Sequence, residues 1–261
     1  MKRSLKLAIS LVVRIWDVAR GKLARLTGRL PAPTCVVLYY HAVPAQHRER
    51  FARQMDLVQK LTRPLPAAQT SALNAGQHYA IITFDDGFVS VMQNAAPELQ
   101  RRQIPWTMFV PSGCFGQTPA WLRNAPAASH QDRVMTRDEL RALVKDPLVT
   151  IGSHTVAHAH LVEVGPDRAA AELADSKAEL ERIVERPVDQ FSYPFGARSA
   201  ALDEQARALG YRRLFSTNPI PVSGRPDEFV LGRIAVDPDT SPLEFRLKLL
   251  GAYRWLAKRD H

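Results

Sequence analysis

Apolar positions along this chain fall into two rhythms. In the first thirty residues they recur every three or four. Leu5, Ile9, Val12, Trp16, Ala19, Leu23 and Leu26 share one helical face, and most of the charges lie on the other. Pro31 and Pro33 end that helix. Beyond them come short β-rich runs at Cys35–Tyr40, Ala80–Phe84, Trp106–Val110, Leu148–Ile151, Gln190–Tyr193, Arg213–Ser216 and Phe229–Ala235. Helical stretches separate most of these runs. Thr136 and Glu139 form a T-x-x-E capping box that starts a helix through about Lys145. Asp167 to about Glu185 reads as a long charged helix stopped by Pro187, and Leu202–Leu209 ends at Gly210. The tail from Pro242 to Lys258 is again helical and basic.

Strands alternating with helices predict an α/β fold with a parallel sheet. About seven βα units in one body predict a closed or nearly closed barrel, whose chemistry gathers at the C-terminal ends of the strands. No repeat, low-complexity tract or linker signals a second domain. The expected organisation is a basic amphipathic helix at 1–33, the barrel domain at 34–240 and a basic C-terminal helix at 241–261.

Charge sharpens this picture. The chain carries a formal +9, but residues 1–30 hold eight Lys/Arg against Asp17 alone, so seven of those nine charges sit there. The rest of the chain is nearly neutral, which argues against a nucleic-acid footprint over the fold. The apolar stretch Leu7 to Val13 is far short of the roughly 20 residues that cross a bilayer. No clean small-residue cleavage site follows, which argues against a signal peptide. Two readings of the segment remain: a helix lying on an anionic membrane surface, or one packed on its own domain. Either places the protein in the cytoplasm or peripherally at a membrane surface. Cys35 and Cys114 make no disulfide framework and read as reduced, buried thiols.

Candidate chemistry lies after three of the strands. "IITFDDGF", residues 81–88, sets Asp85 and Asp86 side by side at a strand end. Like charges so close repel, and one of them needs a cation or a proton. "IGSHTVAHAHL", residues 151–161, offers His154 and His158 at i and i+4, which a helical turn would put on one face. His160 falls out of that register and reads as a surface or supporting histidine. Two imidazoles and one carboxylate form a three-ligand set with open positions, the catalytic pattern for zinc, and they also suit other divalent transition metals such as cobalt or nickel. One aspartate would then bind the ion while its neighbour stays free as a base. In "FSYPFGARS", residues 191–199, Pro194 and Gly196 set a turn that presents the backbone N–H of Phe195 to a developing oxyanion.

Together these stretches resemble the NodB-homology polysaccharide deacetylases, carbohydrate esterase family 4. Thr83 to Gly87 match the first family motif, His154, Thr155 and His158 the second, and Pro194, Phe195 and Gly196 the end of the third. The likeness covers roughly residues 35–235. It is strongest to exopolysaccharide-locus members opening with Y-H-x-V, here "YYHAV" at 39–43. The resemblance implies a distorted (β/α)7 barrel, with Asp86, His154 and His158 as ligands of zinc or a similar divalent ion. It implies Asp85 as general base on the metal-held water that attacks an N-acetyl carbonyl of a glycan or its lipid-linked precursor, with the Phe195 N–H at the oxyanion.

Three positions depart from the family pattern. Ser192 stands where an arginine usually orients the base, and Arg233 in "LGRIAV" is the candidate replacement. No histidine lies between His160 and His261 to serve as the late general acid, and His41, after the first strand, is the candidate substitute. Phe195 replaces a tyrosine and keeps its backbone N–H. These departures leave two alternatives: a metal-containing glycan-binding protein without turnover, and a related C–N hydrolase acting on a small amide or a formylated sugar.

Overall fold

The computed structural model describes residues 2–71, 73–124 and 132–258. Its strands are β1 (Thr34–Tyr40), β2 (Arg63–Pro64), β3 (His78–Phe84), β4 (Trp106–Val110), β5 (Val149–Ser153), β6 (Gln190–Ser192), β7 (Arg213–Ser216) and β8 (Val230–Ala235). All pairings are parallel, in the order β1-β8-β7-β6-β5-β4-β3-β2. β1 also pairs with β3 over its full length, from Thr34↔His78 to Tyr40↔Phe84. That pairing closes a seven-stranded barrel. β2 is a two-residue addition on the early part of β3, below the point where β4 joins it. The thinnest seam lies between β5 and β6, which share a single register pair, Ser153↔Phe191.

Around the barrel lie α1 (Arg3–Leu26), α2 (Arg48–Leu61), α3 (Ala96–Arg101), α4 (Arg137–Leu143), α5 (Pro166–Val184), α6 (Ala200–Ala208) and α7 (Pro242–Leu249). The capping box at α4 is formed. The Glu139 N–H donates to Thr136 Oγ1 at 3.2 Å, and the Thr136 N–H donates to Glu139 Oε2 at 2.7 Å. α5 ends on Glu185 in the left-handed conformation, two residues before Pro187.

The two-residue period of the strands divides the core. On β3, Ala80, Ile82 and Phe84 pack under the helices, while Tyr79 and Ile81 pack inside the barrel with Cys35, Val37, Phe109, Phe215 and Leu231. Continuing the inward parity leads to Thr83 and Asp85 on β3 and to Arg233 on β8. On β5 it leads to Gly152 and His154. Alternation thus aims the polar groups at the upper lumen without any special local device. Cys35 and Cys114 are free, and both are buried.

Two expectations need correction. The tail is helical only through Leu249. Gly251 adopts the left-handed conformation (φ 74°) and breaks the helix, and the chain continues as a short 3-10 turn, Arg254–Leu256, with Leu250, Ala252 and Tyr253 buried. α1 does pack on its own domain, but not through the face singled out above. Leu7 and Val13 pack against Leu247, Ala252 and Tyr253, and Ser10 is buried, accepting the Trp255 indole N–H at 2.9 Å. Asp17 takes two bonds from Arg254 at 2.6 and 2.7 Å. Among the described residues, no helix is long and apolar enough to cross a membrane.

A Cβ on Gly152 would lie 2.4 Å from the Phe109 ring and 3.0 Å from the Gln190 carbonyl. Gly152→Ala therefore wedges the barrel at its thinnest seam. The expected cost is about 2 kcal/mol, as for other overpacked cores, read as a lower urea midpoint with an unchanged m-value.

Candidate active site

Four strands supply the site from their C-terminal ends. Asp85 and Asp86 follow β3, His154 follows β5, Ser192 ends β6, and Arg233 extends inward from β8. Arg233 is fully buried and crosses the lumen. Its Nη1 and Nη2 donate to the two Asp85 oxygens at 2.7 and 2.8 Å. Nη2 also donates to Ser192 Oγ at 2.7 Å, Nη1 to Thr83 Oγ1 at 3.3 Å, and Nε to the Ser216 carbonyl at 3.3 Å. The guanidinium carbon stands 4.5 Å from the Tyr39 ring centre. Ser192 is small enough to leave the space that this arginine fills, and its hydroxyl accepts from it. Burial pushes the Asp85 carboxyl upward, but the Arg233 charge and hydrogen bonds, with the nearby histidines, bring it below the usual carboxylate range.

Asp86 turns the other way. Its φ of 68° departs from the strand and points its carboxylate at the two histidines. Asp86 Oδ1 lies 3.5 Å from His154 Nε2 and 3.2 Å from His158 Nε2. His154 Nδ1 sits 2.8 Å from the Ser192 carbonyl, which only a protonated Nδ1 can satisfy. Nε2 of that ring therefore faces Asp86 with a lone pair. Burial lowers His154 to about 4, so the imidazole is neutral at pH 7. Burial opposes ionisation of Asp86, yet the adjoining His158 imidazole, with those of His41 and His154, brings it down to about 2. Asp86 Oδ1 is buried and has no hydrogen-bond donor. An orphaned carboxylate oxygen facing an imidazole lone pair calls for a cation. Ligand atoms of Asp86, His154 and His158 lie within 4.8 Å of one another, and this donor set fits a divalent transition ion.

The two histidines do not share a helical turn. They sit on a loop in which Thr155 (φ 64°) and His158 (φ 55°) are left-handed. Such residues persist only where their surroundings over-determine them, and here α5 does so. Glu172 Oε2 accepts the Val156 and Ala157 N–H groups at 2.8 and 3.0 Å, and Ser176 Oγ donates to the Thr155 carbonyl at 2.9 Å. From the other side, Ser112 N–H donates to that carbonyl at 3.1 Å and Gly113 N–H to the Val156 carbonyl at 2.8 Å.

Of the other expected residues, Phe195 has φ 60° and ψ 1° at the third position of a type II turn. Pro194 holds the second position, and the Gly196 N–H closes the turn on the Tyr193 carbonyl at 2.9 Å. Gly196 is required there, because a Cβ would fall 1.9 Å from Thr217 Oγ1. His41 lines the same cavity of about 530 Å³ as Asp85, Asp86, His154 and His158. His160 lies 3.3 Å from Glu163 and outside the triad. His261 falls outside the described residues. Trp121 was not anticipated. Its ring stacks on His158 at 4.2 Å and its Nε1 donates to Asp86 Oδ2 at 3.4 Å. It lies in an aperiodic stretch, and nothing in its sequence surroundings marks it.

Fold and site together are those of a deacetylase-type barrel. Residues 72–214 match the family described as polysaccharide deacetylase, and the chain belongs to that family. YxkH of Bacillus subtilis is 27% identical over 173 residues, and the chain spans 55% of the length of that curated relative and 66% of its own. The structure of IcaB from Ammonifex degensii superposes with a TM-score of 0.69 at 25% identity, covering 84% of this chain and 99% of IcaB. BC0361, a polysaccharide deacetylase from Bacillus cereus, shares the fold with a TM-score of 0.66 at 22% identity, covering 83% and 69%.

The triad predicts one divalent ion per chain in a cobalt or zinc titration. Asp86→Asn or His158→Ala should weaken that ion at least a hundredfold, and unchanged affinity would remove the triad from metal binding. A second expectation concerns pH in the metal-free protein. The unfolded His154 takes up its proton below about 6.5, whereas the folded one does so only near 4. Stability should therefore fall as pH drops through that window, by at most about 1.4 kcal/mol per pH unit. Urea midpoints at pH 7, 5.5 and 4.5 should show a flatter slope for His154→Gln.

Proposed function

We propose that the chain is a metal-dependent hydrolase that removes N-acetyl groups from a polysaccharide. The observation that supports this most is the placement of Asp85, ionised by Arg233, beside the Asp86–His154–His158 triad on the family's motifs. A divalent ion held by the triad, zinc by donor chemistry, supplies Lewis acidity to the amide carbonyl and to the attacking water. Asp85 accepts the proton that this water gives up. Its two bonds to Arg233 fix the carboxylate plane and leave one lone pair on each oxygen for that proton. The Phe195 N–H is the candidate donor to the oxyanion, on the turn held by Pro194 and Gly196. His41, on the β1 side of the cavity, is the candidate donor of a proton to the leaving amine.

The shape of the cleft favours a glycan chain over a small amide. A groove of about 830 Å³ adjoins the catalytic cavity and shares Tyr39, Phe195 and Thr217 with it. Binding without turnover was suggested by the missing arginine and late histidine. Arg233 meets the first objection, since it makes the bidentate contact that a base-orienting arginine would make.

Acetate release from N-acetylglucosamine oligomers tests the reading. Asp85→Asn should lower turnover by roughly 10²–10⁴, the usual worth of a general base, while the ion stays bound. Turnover at the unaltered rate would take Asp85 out of the base role. A parallel panel of formylated substrates separates N-deacetylation from deformylation.

A further inference from the structure

We propose that the outward face of α1 lies in the surface of an anionic lipid bilayer and orients the catalytic barrel on it. This goes beyond the hydrolase reading and does not depend on it. The helix has two distinct sides. Toward the body it presents Leu7, Ser10, Val13 and Asp17. Away from the body it presents Leu5, Val12 (66% exposed), Ile15, Trp16 (60%), Leu23 and Leu26 (84%). Nine of the thirteen large apolar side chains exposed among the described residues fall between Leu5 and Leu30. A patch of that kind on a soluble surface marks an interaction site.

Charge decides what covers it. Asp17 is the one acid in residues 2–30, and it is turned inward and neutralised by Arg254. The outward apolar row is therefore bordered by cations alone, with Lys2, Arg20, Lys22, Arg25 and Arg29 all exposed. Two copies of this face brought together would set like charges against each other, with no acid to compensate. An anionic bilayer supplies the missing countercharge, at roughly fivefold in partitioning per basic residue near its surface. It also takes up the apolar row to a helix's depth, which suits a helix that cannot span. Trp16, midway along the row, is a residue type that settles at the lipid–water boundary. The Asp17–Arg254 and Ser10–Trp255 contacts tie the helix to the barrel, so docking it fixes the orientation of the domain.

The test is co-sedimentation of the full chain with vesicles of phosphatidylcholine alone or with about 30% phosphatidylglycerol, at low and high salt. The wild type should pellet with the anionic vesicles, at least tenfold more than with the neutral ones, and high salt should reduce it. A Val12→Glu/Leu23→Glu double variant alters two outward positions and leaves the packed side intact. It should lose at least tenfold in vesicle partitioning while keeping its melting temperature. A wild type that stays in the supernatant, or a double variant that binds equally well, overturns the proposal. So does concentration-dependent dimerisation, abolished by the double variant, in a protein that ignores vesicles, because the face would then belong to a second copy.

Discussion

Two neighbouring carboxylates at the end of one buried strand cannot share a single counter-charge, and the architecture of the site follows from separating them. Asp85 continues the inward parity of β3 and meets Arg233. Asp86 breaks parity through a left-handed backbone and meets His154 and His158. The first pair is internally complete, because the arginine's remaining donors reach Ser192, Thr83 and Ser216. Removing one partner of such a buried pair typically costs about 3–5 kcal/mol, since the other charge is left uncompensated. The second group leaves Asp86 Oδ1 without a hydrogen-bond donor, in a donor set that could hold a divalent ion.

The barrel makes this separation cheap to build. Parallel strands bring their C-terminal ends to one rim, and a period of two sends alternate residues to the lumen. Arg233, Thr83, Asp85, Ser192 and His154 converge there from four different strands. The strain is confined to the loops. Of the six non-glycine residues with positive φ among those described, Asp86, Thr155, His158 and Phe195 all belong to the site. The helices hold these conformations in place, most visibly where Glu172 and Ser176 of α5 bind the histidine loop. Outer packing and inner chemistry are thus coupled through α5.

Much of this could be read from the sequence, for reasons particular to each element. The seven strands were legible because apolar runs bounded by turn residues have few other uses, and the capping box of α4 because its two bonds are local. The triad residues were legible from their motifs, but their geometry was not. An i, i+4 pair suggested a helical turn, whereas the structure uses two left-handed residues that Thr155 and His158 do not advertise. Arg233 could be named as a candidate from its place near a strand end. Its contact with Asp85 required the closed barrel, because β1 pairs with both β8 and β3 and so brings those two strands within one arginine's reach. Trp121 left no signal at all. On α1 the apolar row was plain, but the docking side was hidden, because Ser10 and Asp17 look like solvent-facing residues until Trp255 and Arg254 fold onto them.

The central claim is that Asp86, His154 and His158 converge on one ion while Asp85 remains with Arg233. Anomalous diffraction at the zinc edge from crystals grown with zinc tests it directly. The account predicts one strong peak about 2.0–2.2 Å from a carboxylate oxygen of Asp86 and from Nε2 of each histidine, with the Asp85–Arg233 pair intact. A peak ligated by Asp85, or no peak at this rim while zinc binds elsewhere, would contradict it.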